Sequence, residues 1–331
     1  MMTNYYLGID IGSTKSHALV ADEMGNAVGF GRAGPGNWEG VGWDRAKSIM
    51  HEVVNSALEV ARVGKSQIAG AGFGVAGYDW PEDEEPHRRI IRSLQLNAPY
   101  ILANDTLIGL VAGATSGWGV VVVAGTSNNC RGRDQQGREG RIIGSGVRFA
   151  EYAGAYEIME RALQAVGAAW TKRGKLTQLT QTFLEITGVG DEVDLLAGLM
   201  RGRYEISSDD APKVFKCAAN GDEVAQEVIC WAGRELARSA VGVIRQLGFE
   251  DREFEVVLAG SLYKGSSTLI DTMREEIHAV APGAKLIRLE APPVVGGVLL
   301  GMEAAGSDPL VSRPRLLKST AELLEKLKLS L

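Results

Sequence analysis

Two glycine turns and two carboxylates carry the chemistry open to this sequence. The first turn lies in Leu7-Gly8-Ile9-Asp10-Ile11-Gly12-Ser13-Thr14-Lys15, the second in Val120-Val121-Val122-Val123-Ala124-Gly125-Thr126-Ser127-Asn128-Asn129. In each, an apolar β-run breaks at a glycine followed by small hydroxyl or amide residues. Glycine admits a positive φ, and its missing Cβ lets main-chain N–H groups come close to a ligand. Used twice in one chain, the device suits two halves that grip one polyphosphate between them. Asp10, just ahead of the first turn, is placed to hold a hydrated Mg²⁺ against those phosphates. Asp105, in Asn104-Asp105-Thr106, stands where a strand gives way to a helix of small residues. That junction sets a carboxylate beside a helix N-terminus. Each feature also has a plainer reading: a hairpin turn for either glycine segment, a helix N-cap for Asp105.

The elements that must position these residues are legible from apolar spacing. Residues 4–36 read as a β-meander of Tyr5 to Ile11, Ser16 to Ala21 and Ala27 to Arg32, closed by the loop Gly34-Pro35-Gly36-Asn37-Trp38-Glu39-Gly40. Residues 44–63 have helical spacing, with Ile49, Val53, Ala57, Val60 and Ala61 on one face. A buried strand, Ile68 to Val75, ends in Gly74-Val75-Ala76-Gly77-Tyr78-Asp79, and a helix through Arg88–Leu94, a strand Tyr100–Ala103 and the Asp105 helix follow. This is the βββαβα order of a ribonuclease-H-like unit.

The second half repeats it. Val120–Val123, Cys130–Asp134 and Arg141–Ile143 form a meander, and a helical stretch from about Ala150 to Ala219 reads as an insertion. Helix Glu223–Leu247, strand Glu255–Leu258 with Ala259-Gly260-Ser261, helix Thr268–Val280, strand Lys285–Arg288 and helix Val294–Ala305 complete the set. We therefore expect an α/β protein of two duplicated lobes around a cleft. Residues 1–118 make the first lobe and 119–311 the second, with the insertion at about 150–220 and a hinge at Gly117-Trp118-Gly119. The leucine stripe at 312–331 reads as a helix packed back on a lobe, with the first lobe the candidate.

Composition excludes several classes. A net charge of -6, without a basic stretch or interleaved aromatic and basic residues, speaks against a nucleic-acid partner. No apolar run approaches the ~18 residues of a membrane span. The N-terminus runs straight into a strand without a charged leader and cleavage site, so export is not expected. Cys130, Cys217 and Cys230 form an odd, scattered set that fits a reducing cytoplasm rather than disulfides, zinc or an iron–sulfur cluster.

The assembled motifs resemble the superfamily of acetate and sugar kinases, heat-shock chaperones and actin. Within it they resemble the N-acetylglucosamine kinase and BadF-BadG-BcrA-BcrD ATPase family, over nearly the whole chain. Gly8 to Lys15 looks like its first phosphate motif and Gly125-Thr126-Ser127-Asn128-Asn129-Cys130 like its second. Val256-Val257-Leu258-Ala259-Gly260-Ser261 looks like its adenosine motif, and Gly296-Gly297-Val298-Leu299-Leu300-Gly301 like its closing helix. On the acceptor side, Asn37-Trp38, the segment ending in Asp79, and Asn104-Asp105 have counterparts. One stretch departs. Where the family has Gly-Gly-Trp-Gly and then Gly-Asp-Glu-Gly-Ser, this chain has Ile143-Gly144-Ser145-Gly146-Val147-Arg148-Phe149-Ala150-Glu151-Tyr152-Ala153-Gly154-Ala155-Tyr156. Glu151 falls at the substrate-binding aspartate, one methylene longer.

The resemblance implies ATP with Mg²⁺, a small sugar as acceptor, and a homodimer. Phosphoryl transfer asks a protein for positioning, charge neutralisation and a base. Asp105 is the expected base and Asp10 the expected Mg²⁺ ligand. Gly12, Ser13, Thr14, Lys15, Gly125, Thr126 and Ser127 are expected on the phosphates, and Gly260 and Ser261 on the adenosine. Asn37, Asp79, Asp105 and Glu151 are expected on the sugar. The acceptor would be N-acetylglucosamine or a related amino sugar, reacting at the 6-hydroxyl by resemblance. Arg148 beside that site fits an acidic acceptor or an ion pair with Glu151. The alternative is a partner-coupled ATPase or nucleotide-binding regulator; the iron–sulfur activators of the wider family use paired cysteines, which this chain lacks.

Overall fold

A computed structural model describes residues 3–327. The first meander forms as expected, as β1 (Tyr5–Ile11), β2 (Ser16–Asp22) and β3 (Ala27–Ala33). Asn37 caps a single turn, α1 (Trp38–Val41), and α2 (Trp43–Ala61) ends where Arg62 turns left-handed at φ 56°. Then come β4 (Ile68–Val75), α3 (Pro81–Ser93), β5 (Tyr100–Asn104) and α4 (Asp105–Gly113). Helix α3 starts seven residues before its expected Arg88: Pro81 opens it, and the Asp83 carboxylate takes the Trp80 N–H. The acidic run 82–85 is its first turn, where the helix dipole favours negative charge.

The second half gives β6 (Gly119–Ala124), β7 (Asn128–Arg133) and β8 (Glu139–Arg141), the last ending where its strand was expected to begin. The insertion resolves into four helices: α5 (Ala155–Trp170), α6 (Leu179–Thr187), α7 (Glu192–Met200) and α8 (Ala211–Ala219). Next are α9 (Glu223–Leu247), β9 (Phe254–Ala259), α10 (Ser267–His278), β10 (Ala284–Arg288), α11 (Val294–Ala304) and α12 (Pro309–Lys326).

One sheet runs β3-β2-β1-β4-β5 and the other β8-β7-β6-β9-β10, the same order twice. Each has an antiparallel meander on one side and a parallel trio on the other. Helix α2 covers the outer face of the first sheet through Val53, Val54 and Ala57. Helix α9 covers the second through Val243, Ile244 and Leu247. Helices α4 and α11 lie between the sheets in one core, joining Ile108, Val111, Val295 and Val298 to Val121 and Val257. Although α11 follows the second sheet in sequence, it rests on the first. Gly72 and Gly297 meet there with backbone in contact, and a Cβ on Gly72 would strike the Gly297 carbonyl. The glycines of the closing helix thus serve helix–sheet approach. Helix α12 returns to the first meander, where Ser312 Oγ donates to Glu23 O at 2.9 Å and Ser319 Oγ accepts from Ala27 N at 2.9 Å. The expected helix reached to 331; residues 328–331 lie outside the described residues.

Candidate active site

Parallel strands in α/β sheets present ligands at their carboxyl ends. Asp10 lies near that end of β1, Asp79 beyond β4, Asp105 directly after β5, Gly125 after β6 and Gly260 after β9. The expected residues outside the 143–156 loop therefore fall at the same ends of the two trios, except Asn37, which follows β3.

The two turns expected to bind phosphate are main-chain constructions. Gly12 N donates to Lys15 O at 3.1 Å and Gly125 N to Ser127 O at 2.9 Å, leaving Ser13, Thr14, Lys15, Thr126 and Ser127 exposed. Gly260 has φ 115° and lies on Ala124, where any Cβ would collide with the Ala124 carbonyl. That contact locks the β9 turn to the β6 turn. Between them opens a cavity of about 540 Å³, lined by Gly125, Thr126 and Ser261 and closed by Pro212, Phe215 and Lys216 of α8. The α8 residues were not foreseen, because an insertion with ordinary amphipathic spacing gives no sign of which face meets a ligand.

On the other side of the cleft, Asn37 and Trp38 together link two turns. Its Nδ2 donates to Ser13 Oγ at 3.1 Å, and Trp38 Nε1 donates to Gly77 O at 2.7 Å. Asn104, not Asp105, is the N-cap of α4: its Oδ1 accepts from Thr106 N at 2.9 Å. Asp105 is thereby released from the capping role, and only Thr106 N at 2.9 Å reaches its Oδ1 among the described residues. Burial, followed by the nearby Asp10 and Asp79 carboxylates, pushes the Asp105 pKa up to about 7, against the Thr106 N–H and the Arg131 charge.

Two expected sugar ligands are engaged elsewhere. Asp79 Oδ1 accepts from Arg131 Nη2 at 2.5 Å and from Asn104 Nδ2 at 3.3 Å. Glu151 turns inward: its carboxylate accepts from Ile143 N at 2.6 Å, Gly144 N at 2.8 Å and Ser145 N at 2.9 Å. Three backbone donors in a loop need one buried acceptor with two oxygens, and Glu151 supplies it. It braces the loop. Arg148 is exposed and makes no ion pair with Glu151.

Against this geometry stand the comparisons with known proteins. The profile of the BadF/BadG/BcrA/BcrD ATPase family matches residues 7–301. The chain belongs to that family. An N-acetylmuramic acid/N-acetylglucosamine kinase of Clostridium acetobutylicum is 26% identical over 300 residues, covering 89% of this chain and 97% of the relative. An N-acetyl-D-glucosamine kinase of Dictyostelium discoideum is 26% identical over 318 residues, covering 92% and 99%. Among solved structures, one assigned as an N-acetylglucosamine kinase from Chromobacterium violaceum superposes with a TM-score of 0.63 at 20% identity, covering 91% of this chain and 99% of that one. A glucokinase from Streptomyces griseus, solved with glucose and AMPPNP, gives 0.54 at 17%, covering 95% and 99%. The fold is that of the two-lobed sugar kinases.

In this member of the BadF/BadG/BcrA/BcrD ATPase family, the donor set suits a metal shared with phosphates. The Asp10 side chain is 17% exposed, and His17 Nδ1 lies 3.9 Å from its Oδ2. Among the described residues no group of three His, Cys, Asp or Glu side chains could hold an ion by itself. Mg²⁺ at nucleotide sites is commonly held by one or two carboxylates together with phosphates and water, and Asp10 fits that pattern. Sequence reasoning missed Arg131 and Arg141. Arg131 directly follows the second phosphate motif, and a cation inside a strand pattern was the signal available; the structure leaves it only 4% exposed.

Proposed function

We propose that this protein transfers the γ-phosphoryl group of ATP to a hydroxyl of N-acetylglucosamine or a related amino sugar. The carrying observation is Asp105, a carboxylate freed from capping by Asn104 and raised to a pKa of about 7. A general base works best with a pKa near the working pH, and Asp105 would take the proton from the attacking hydroxyl. The Gly12–Lys15 and Gly125–Ser127 turns would hold phosphate oxygens by main-chain N–H groups, with Lys15 adding charge. Gly260 and Ser261 would let the nucleoside lie against the backbone. Mg²⁺ bound through Asp10 and the phosphates would neutralise charge on the transferred group. Asn37, tied to the first phosphate turn, is the acceptor-side ligand favoured here. The names of the full-length relatives support the substrate class.

The activator alternative draws no support from the cysteines, since Cys130 and Cys217 are buried. A homodimer, implied by resemblance, is tested by sedimentation. The activity is tested by incubating the protein with Mg-ATP and a panel of amino sugars and plain hexoses, with products read by mass spectrometry. A phosphorylated amino sugar is the expected product. ATP hydrolysis without any phosphosugar would sink the proposal.

A further inference from the structure

Two arginines of the second lobe grip two consecutive residues of the first. Arg131 on β7 donates from Nη2 to Asp79 Oδ1 at 2.5 Å. Arg141 on β8 donates from Nη1 to Asp79 O, and its guanidinium lies 4.3 Å from the centre of the Trp80 ring. Carboxylate, carbonyl and indole of Asp79-Trp80 are thus all taken from across the cleft.

The register explains why this contact is more than incidental. Arg131 and Arg141 are directly opposite in the β7–β8 ladder, so both side chains leave the same face. Like charges directly opposite destabilise a strand pair. Within the second lobe, Glu139 offers Arg131 only a 3.9 Å contact. Asp79 supplies the negative charge and Trp80 the π-face that the pair requires, and both belong to the other lobe. A nearly buried guanidinium deprived of its partner is costly, so separated lobes leave this strand pair uncompensated. The grip also reaches the reacting group, because Asn104 donates from Nδ2 to the same Asp79 oxygen and caps the helix that begins with Asp105.

We propose that Arg131 and Arg141 are positioning residues that, with Asp79 and Trp80, form a clasp holding the lobes closed and Asn104-Asp105 in place. Closure itself needs no catalysis to be seen, and only the kinetic consequence rests on the kinase reading. A clasp that fails would admit water to the transferred phosphoryl group.

The test uses Asp79→Asn, Arg131→Gln and the double variant, with Arg141→Gln as a partly exposed second grip should the Arg131 variants fold poorly. In small-angle scattering of the nucleotide-free protein, each variant should have a larger radius of gyration than wild type. Acceptor kcat/KM should fall tenfold or more in each single variant, and the double variant should be no worse than the weaker single, as for one shared interaction. ATP hydrolysed per phosphosugar formed should rise, which lowered stability alone would not produce. Unchanged scattering in these variants, or losses that multiply in the double variant, would overturn the clasp. If the wild type phosphorylates no sugar, the scattering still decides the clasp while the kinase reading falls separately.

Discussion

At the ends of β6 and β9 the groups proposed to face a ligand are main-chain: a turn closed on Gly125, and Gly260 laid on Ala124. At the ends of β1, β4 and β5, in a sheet of identical strand order, the Gly12 turn is joined by the carboxylates of Asp10, Asp79 and Asp105, with Asp79 already held by Arg131. One sheet order thus carries two chemistries. Main chain and glycine suit phosphate, whose oxygens accept from any N–H, whereas side-chain carboxylates suit a hydroxyl that must lose a proton. The acidic half also carries a cost, since burial first and the like charges of Asp10 and Asp79 second raise the pKa of Asp105.

The comparison breaks most severely at Asp105. Asp105→Asn should lower kcat by about 10²–10⁴, the range of a general base, while calorimetric ATP affinity stays unchanged. With Asp105 titrating at about 7, kcat/KM of the wild type should climb as pH rises through neutrality, and the variant should lack that step. The stability sign follows from the same shift. The folded pKa lies above the ordinary 3.8, so the folded state keeps its proton longer than the unfolded chain. Stability referred to this group therefore falls as pH rises from about 4 to 7, and Asp105→Asn removes the loss. Melting of the ligand-free variant should exceed wild type at pH 8 and match it near pH 4.

Gly260→Ala attacks the nucleotide half instead. Its positive φ and its contact with Ala124 put the cost at about 1–3 kcal/mol, read as a lower melting temperature together with weaker ATP binding. Smaller still, Glu151→Gln should weaken the 143–145 loop by about 1–2 kcal/mol, since an uncharged amide has only one accepting oxygen for the backbone donors that both carboxylate oxygens now hold. The readout is faster proteolysis at that loop with ATP affinity kept. Least of all, Lys216→Ala on the cavity rim should change ATP affinity by a few fold, with the difference shrinking in high salt.

The nucleotide half was legible because its signals are local. A glycine after an apolar run, twice, dictates both the turn and the strand before it, and helix α9 has the bounds its spacing predicts. The acceptor half was only half legible. Asp79 and Glu151 were read as ligands from their place in motifs, but a carboxylate's partner is chosen in three dimensions. Arg131 lies 52 positions from Asp79, and no spacing rule links them. Glu151 braces residues six to eight positions before it, a local contact that the altered loop sequence disguised. Asn104 was read beside Asp105 without the division of labour that frees the aspartate, because either residue type caps a helix equally well.

The most direct measurement counts ADP released and phosphosugar formed from Mg-ATP and N-acetylglucosamine, in wild type and Asp105→Asn. One phosphosugar per ADP in wild type, with both lost in the variant, is the expected result. ADP release indifferent to the sugar, or equal in the two proteins, would contradict the meeting of nucleotide and acceptor halves at Asp105.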